Sequence, residues 1–191
     1  MSDKSFKNEL QDILQGKSRV SHGTAIQAVT HLLSRCQTAG YLGKTTQQIK
    51  EEESKWIAEY CDINKFWIRE IPFDNFISQG AEQRVYIKDV RTVYKLNDSI
   101  YYATWTDYLN NLLLNNYYFP DTAYQLCGFY ISEEQILYAL VEQRFVKATG
   151  LTDLNNVRLF LKNNGFDIKK NNDYYNAELG IILKTFMKKM Y

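Results

Sequence analysis

The sequence predicts an α+β fold, in which a helical N-terminal segment precedes an antiparallel sheet with one helix inserted between two strands. Three observations lead to this prediction. Residues 1–64 place apolar side chains three and four positions apart, which is the spacing of one helix face. From Trp67 onward that period changes, and segments favouring extended structure follow one another. A single helical stretch interrupts these segments after the third of them.

Two helices are predicted within residues 1–64. The first begins at Ser21 and ends at Gly40, a residue that commonly stops helices. Its apolar face is formed by Ala25, Ile26, Val29, Leu32, Leu33 and Cys36. The second begins with Thr45 and Gln48, which fit a capping box. Its apolar face is formed by Ile49, Trp56, Ile57 and Tyr60. The acidic run 51–53 is interpreted as a solvated helix face, with cation binding as the alternative.

Five strands are predicted between residue 64 and Gly150. Pro72 confines the first to an edge or to irregular structure, because proline cannot donate to a sheet ladder. The inserted helix spans Thr106 to Tyr118 and ends before Pro120. The predicted strands are Trp67 to Phe76, Arg84 to Lys88, Thr92 to Leu96, Tyr124 to Tyr130 and Ile136 to Gln143.

A further helix and a hairpin are predicted after Gly150. Thr152 or Asp153 caps the helix and Gly165 ends it. Its inner face is formed by Leu154, Val157, Phe160 and Leu161. The hairpin turns at Asn171 and Asn172 and leads into a strand at Leu179 to Leu183.

This order of elements is that of the small lobe of a protein kinase. The prediction divides the chain into a helical extension, 1–64, and a kinase-like domain, 65–191. Within that domain the small lobe covers about 65–146, and an incomplete large lobe covers about 147–191. The connection after the fifth strand corresponds to the hinge between the lobes.

The kinase arrangement predicts where a nucleotide would bind. A glycine-bearing loop between the first two strands covers the phosphates, and a lysine on the third strand pairs with them. Here Gly80, Ala81 and Glu82 fall in that loop, and Lys95 lies on the third strand. An ordinary turn and a solvated lysine are the alternatives.

Two further parts of a kinase site have candidates in this sequence. The inserted helix lacks the glutamate that holds the lysine, so Lys95 is either unpaired or paired with Asp107 or Glu82. The stretch LVEQRFV at 140–146 is predicted to be the hinge, where backbone groups near Glu142, Gln143 and Arg144 meet the adenine edge; an ordinary strand exit is the alternative. The implied cofactors are ATP and Mg²⁺, bound weakly.

Composition narrows the classes of function. The net charge of +1 argues against a nucleic-acid partner, and no apolar run approaches the ~20 residues that span a bilayer. The polar N-terminus is not typical of a signal peptide. Cys36, Cys61 and Cys127 are interpreted as free thiols in a reducing compartment, which favours the cytoplasm.

Several phrases of the sequence resemble a known family. The phrases are GAEQ at 80–83, VYK at 93–95, LLLxN at 112–116, FPDTAY at 119–124 and LGIIL at 179–183. Between about Glu51 and Leu183 the chain resembles the kinase-like domain of polyvalent proteins, which phages and conjugative elements encode. The resemblance implies a protein-kinase-like fold that binds ATP through Gly80 and Lys95. It also implies a Gln-Pro pair at the hinge, where this chain has Gln143 and Arg144.

The last eight residues depart from the family pattern. The resemblance implies Asp-x-His-x-x-Asn-Val-Leu after LGIIL, with the base and magnesium ligand of a catalytic loop. Residues 184–191 read KTFMKKMY instead. Permissible codons for this segment, read two bases along, spell Asp-Phe-His-Glu-Glu-Asn-Val-Leu. We therefore interpret 184–191 as an out-of-frame reading of the catalytic loop, with an ordinary basic, apolar helix turn as the alternative.

Two functions follow as hypotheses. The first is a truncated kinase-like protein that binds ATP weakly and transfers no phosphoryl group. The second is an interaction module that binds a protein partner or a second copy through its helical extension and an exposed apolar strand at 181–183.

Overall fold

The computed structural model describes residues 3–37, 41, 43–71, 75–79, 83–145, 150, 153–169 and 173–183. The chain divides into two compact units. One consists of Glu9–Val146, and the other of Met1–Asn8 with Lys147–Tyr191. The predicted division at residue 64 stays a prediction, and the helices before that residue pack in the same core as the sheet that follows.

Three helices precede the sheet. They are α1 (Asp3–Leu14), α2 (Thr24–Gln37) and α3 (Thr46–Asn64). The predicted capping box at the start of α3 is confirmed. The Thr45 hydroxyl accepts from the Gln48 backbone N–H, and the Gln48 side chain accepts from the Thr45 backbone N–H. Among the described helices, none has the length and apolar character needed to cross a membrane.

The predicted antiparallel sheet with one inserted helix is confirmed. Five strands pair in the order β1-β2-β3-β5-β4, each antiparallel to its neighbours. They are β1 (Phe76–Gln79), β2 (Arg84–Ile87), β3 (Thr92–Asn97), β4 (Tyr124–Ile131) and β5 (Leu137–Arg144). The inserted helix is α4 (Trp105–Tyr118), capped by the Thr104 side chain. A single 3-10 turn, Pro120–Thr122, leads from α4 into β4.

The first strand was predicted too early in the chain. Extended structure was expected from Trp67 to Phe76, whereas β1 begins at Phe76. Part of the expected strand still pairs, because Trp67 forms an isolated parallel bridge with Phe129 of β4. A side chain on Gly128 would lie 2.5 Å from the Phe66 carbonyl oxygen, so this close approach requires glycine. The segment 66–68 therefore covers the edge of β4.

Each face of the sheet carries its own apolar cluster. The helix-covered face packs β4 and β5 against α2, α3 and α4, with Trp105 and Phe129 among its largest buried side chains. The opposite face, which we call the tyrosine face, is built from Ile71, Tyr86, Leu96, Tyr138 and Leu140. Cys36, Cys61 and Cys127 are free thiols, as predicted.

The interpretation of the whole acidic run 51–53 as a solvated face is wrong for Glu53. Its side chain is fully buried. Its carboxylate accepts from the backbone N–H groups of Trp105 and Thr106 at 2.6 and 3.3 Å, and from the Thr106 hydroxyl at 2.7 Å. A helix N-terminus leaves such N–H groups without partners and favours negative charge. Glu53 therefore fastens α3 to the start of α4.

The second unit contains a helix and a small antiparallel sheet. The helix is α5 (Leu154–Asn163), and the three strands are β6 (Asp167–Ile168), β7 (Tyr174–Asn176) and β8 (Ile181–Leu183). Asp153 caps α5, as one of the two predicted candidates. Leu154 and Phe160 were predicted to face inward, but both are exposed, and Leu161 is the buried residue of α5. The predicted turn at Asn171 and Asn172 and the tail 184–191 lie outside the described residues.

Candidate functional site

Lys95 occupies the middle strand of the five. On β3 it pairs with Val85 of β2 and Val141 of β5. Because side chains alternate along a strand, Lys95 shares a face with Val93 and not with Tyr94 or Leu96. Leu96 belongs to the tyrosine face. Lys95 therefore lies on the helix-covered face, next to Val141 of that face's core.

The Lys95 ammonium rests against an aromatic ring. Its Nζ lies 5.2 Å from the centroid of the Tyr124 ring and 3.5 Å from the phenol oxygen, which is long for a hydrogen bond. Burial disfavours the charged form and lowers the pKa of Lys95 from 10.5 to about 8. A cationic side chain is thus held partly out of water against a neutral partner.

The carboxylates proposed as partners for Lys95 have different positions. Asp107 is exposed in the first turn of α4, and its backbone N–H bonds the Thr104 hydroxyl. The ion pairs among described residues do not include one between Asp107 and Lys95, so pairing through Asp107 is wrong. Glu82 lies outside the described residues. Lys95 is therefore without a carboxylate partner in the part of the chain that the structure describes.

The side chains of Glu142 and Gln143 point to opposite faces of the sheet. Glu142 pairs with Tyr94 across β3 and β5, and its carboxylate accepts from Lys88 Nζ at 2.5 Å. Gln143 pairs with Val93, on the face of Lys95, and its amide donates to the Thr122 carbonyl at 2.7 Å. The two side chains therefore meet protein groups on different sides of the sheet.

The connection after the fifth strand begins later than predicted. At Glu142 and Gln143, β5 is flanked by β3 on one side and β4 on the other, and the strand continues to Arg144. The Phe145 backbone N–H then donates to the Arg91 carbonyl at 2.7 Å. The connection therefore lies beyond the two residues predicted to contact adenine. Their contact with a nucleotide stays a prediction.

The predicted phosphate loop falls between β1 and β2 in the chain. Gln79 at the end of β1 pairs with Arg84 at the start of β2, so residues 80–83 join the two strands. Gly80, Ala81 and Glu82 themselves lie outside the described residues, and their role stays a prediction.

Two residues at this site were not selected from the sequence, Tyr124 and Asn116. Asn116 is fully buried on α4. Its Oδ1 accepts from the Tyr124 N–H at 2.7 Å, and its Nδ2 donates to the Tyr124 carbonyl at 2.7 Å. Both residues end phrases that carry the family resemblance, LLLxN and FPDTAY. That position in the phrases was the signal available in the sequence.

Comparison with known proteins identifies the family. The sequence profile described as Serine/Threonine/Tyrosine Kinase found in polyvalent proteins matches residues 50–189, which is more than half of the chain. The chain belongs to this family. The resemblance stated from its short phrases is thereby confirmed, and the antiparallel sheet with its inserted helix is compatible with a kinase-like fold. No curated protein matches the chain, and no solved structure does.

Membership of the polyvalent-protein kinase family gives the site its chemical context. In protein kinases, the lysine of the third strand contacts nucleotide phosphates and a glutamate of the helix after that strand. This kinase-like chain has the lysine on that strand, and a tyrosine ring lies beside the ammonium.

Proposed function

We propose that this kinase-like protein binds ATP with Mg²⁺, and that the Lys95 ammonium contacts the phosphates. One observation carries the proposal. Lys95 is a partly buried cation on the third strand, with a pKa lowered to about 8 and without a carboxylate partner among the described residues. Holding a charge in this way costs stability, and an anion beside it would recover that cost.

The chemistry of the surroundings fits a polyphosphate. Phosphate oxygens bind a fixed cation and backbone N–H groups. The loop 80–83 joins β1 and β2 next to the strand of Lys95, as a phosphate-covering loop would. The proposed nucleotide residues are Gly80, Ala81, Glu82 and Lys95, with Glu142 and Gln143 as candidates near the adenine. Metal ions would bridge the phosphate oxygens and neutralise their charge.

Thermal unfolding with and without Mg-ATP tests the proposal. At a ligand concentration ten times the Kd, the wild-type protein gains about 1.4 kcal/mol, which raises Tm by about 3–6 °C. Lys95→Met is expected to remove this shift, because it keeps the apolar stem and removes the charge. Lys55→Met is the matched control, since Lys55 is an exposed residue of α3. Absence of a shift in the wild-type protein, with Mg²⁺ alone as baseline, would refute nucleotide binding.

We further propose that residues 1–191 transfer no phosphoryl group and derive from a mobile genetic element. Residues 184–191 read KTFMKKMY, at the place where the family resemblance implies a segment with the base and the magnesium ligand of a catalytic loop. The out-of-frame interpretation of 184–191 is tested by sequencing the gene past codon 191. If the shifted frame does not continue with kinase-like sequence, that interpretation is wrong. Formation of ADP from Mg-ATP by purified protein, lost in Lys95→Met, would contradict inactivity.

Self-association or a protein partner is the second proposal. Ile182 on β8 is half exposed, which supports the apolar strand at 181–183 as a contact surface. The helical segment supports it less, because Ile26, Val29 and Ile57 are buried within the chain's own core. Size-exclusion chromatography with light scattering checks this. A monomer at all accessible concentrations, with an unchanged profile for Ile182→Lys, would exclude self-association through β8.

A further inference from the structure

Three phrases of the sequence each supply one residue to a connected group around the Tyr124 ring. Lys95 comes from VYK on β3, Asn116 from LLLxN on α4, and Tyr124 from FPDTAY at the start of β4. Asn116 bonds both backbone polar groups of Tyr124, and its amide also donates to the Ser21 carbonyl at 3.0 Å. The Tyr124 ring in turn lies under the Lys95 ammonium.

The segment before Tyr124 is fixed as well. The Gln143 amide donates to the Thr122 carbonyl, and the Thr122 backbone N–H donates to the Phe119 carbonyl. Gln143 of β5 therefore fixes the chain just before Tyr124, and Asn116 of α4 fixes it at Tyr124 itself. The backbone of Tyr124 is thus held in place where its ring meets the Lys95 ammonium.

A tyrosine ring acts on a lysine differently from a carboxylate. Its π face attracts the ammonium by about 0.5–2 kcal/mol, depending on exposure, but it carries no formal charge. A carboxylate would neutralise the ammonium and would repel an incoming phosphate. A ring can hold the ammonium in place while leaving its charge available to an anion. Tyr108 of α4 is a titratable neighbour of Tyr124. It is neutral, since burial raises the pKa of Tyr108 well above the usual value.

We propose that Tyr124 is the positioning residue of Lys95, fixed by Asn116, and takes the part that a helix glutamate has in other kinases. The role rests on the proposed function, because it matters only if Lys95 binds a nucleotide. Tyr124 acts through Lys95 and need not touch the nucleotide.

The first experiment measures the lysine without any nucleotide. Trace acetylation of Lys95 is followed by mass spectrometry from pH 6.5 to 10, and the midpoint for the wild-type protein is expected near 8. Tyr124→Phe keeps the ring and leaves the midpoint unchanged. Tyr124→Leu removes an attraction for the protonated form, so the midpoint falls by about half a pH unit or more. Tyr124→Met is a second ring-free variant with a different shape, in case the leucine protein does not fold.

The second experiment measures the Kd of Mg-ATP by calorimetry. Loss of the ring is expected to weaken binding about five- to tenfold, whereas Tyr124→Phe stays within about twofold. Tyr130→Leu is the matched control, since Tyr130 is on the same strand but packs on the tyrosine face. Rescue by phenylalanine distinguishes positioning by the ring from a merely structural role.

The outcomes distinguish nucleotide binding through Lys95 from the positioning role of Tyr124. If wild-type protein binds Mg-ATP through Lys95, but the ring-free variants keep both the acetylation midpoint and the affinity, the role of Tyr124 is refuted and nucleotide binding stands. A midpoint that rises in the ring-free variants also refutes it. If wild-type protein binds no nucleotide, the proposed function fails and this role fails with it. The acetylation midpoints still report whether the ring stabilises the ammonium.

Discussion

Two lysines on opposite faces of the same sheet lie over tyrosine rings at nearly equal distances. Lys95 Nζ is 5.2 Å from the Tyr124 centroid on the helix-covered face, and Lys88 Nζ is 5.3 Å from the Tyr94 centroid on the tyrosine face. Among the residues that the structure describes, Lys88 has a carboxylate partner, that of Glu142, and Lys95 has none. The hydrogen bond to Glu142 raises the pKa of Lys88, whereas burial lowers the pKa of Lys95 to about 8.

One charge is neutralised at the surface, whereas the other is held without a described counter-charge, as the proposed nucleotide site requires. Lys88 is partly solvated and paired, so its charge is already compensated. Lys95 is less accessible to water, and its described protein partner is a neutral ring. Proteins rarely keep a desolvated cation in this state without a use for it. If the proposed nucleotide binds, the comparison favours the helix-covered face over the tyrosine face as its site.

The largest expected effect is a loss in the free energy of unfolding when the hydrogen bonds of Asn116 on the helix-covered face are removed. Asn116→Leu removes three hydrogen bonds. The Tyr124 N–H, the Tyr124 carbonyl and the Ser21 carbonyl each lose their bond to the Asn116 side chain. We expect a loss of about 2–4 kcal/mol in the free energy of unfolding, measured with urea. Asn64→Leu is the control, because the Asn64 side chain is exposed and bonds one carbonyl within its own helix. Equal losses in the two variants would contradict the structural role of Asn116.

The second prediction replaces each lysine by methionine. At pH 7, Lys95→Met is expected to stabilise the protein by about 1–3 kcal/mol, because it removes a desolvated charge. Lys88→Met removes a surface ion pair and is expected to cost no more than about 1 kcal/mol. Changes of opposite sign in the free energy of unfolding for Lys95→Met and Lys88→Met would confirm that the two lysines differ. Destabilisation by Lys95→Met would show that its charge is already compensated.

The pH dependence of this effect follows from the lowered pKa of Lys95. Between about pH 8 and 10.5 the unfolded chain keeps a proton on residue 95 that the folded protein has lost, so raising the pH stabilises the folded state. The gain in the free energy of unfolding from Lys95→Met, relative to the wild-type protein, should therefore decrease across this range and vanish above it. Lys88 has a raised pKa, so its pair is lost only above pH 10.5, and the effect of Lys88→Met should stay constant from 8 to 10.5.

The fold was more accessible from the sequence than the site was. The succession of strands along the chain, the inserted helix and the capping box at Thr45 each leave a local pattern that can be read from a few neighbouring residues. Glu53 was misjudged because it was grouped with its acidic neighbours. Its spacing of four from Ile57 and eight from Cys61 places it on the buried face of α3.

Lys95 was found from its strand, but its partner was not. Tyr124 lies 29 residues away, and β5 separates their strands. The expectation of a carboxylate came from the kinase pattern, and nothing local in the sequence indicates that a ring replaces it. Such long-range contacts depend on the packing of several elements, which single-sequence patterns do not record.

The smallest expected effect concerns salt. Glu142→Gln breaks the ion pair with Lys88 at the surface and should cost at most about 1 kcal/mol at low salt. At 1 M NaCl the Debye length falls to about 3 Å, so this cost should nearly disappear. The gain from Lys95→Met comes mainly from desolvation, which salt does not screen, and should persist at 1 M NaCl. Urea titrations of the two variants and the wild-type protein at 0.05 and 1 M NaCl measure both. If the Lys95→Met effect were lost in salt as well, Lys95 would be solvated like Lys88, and the two faces of the sheet would no longer differ in kind.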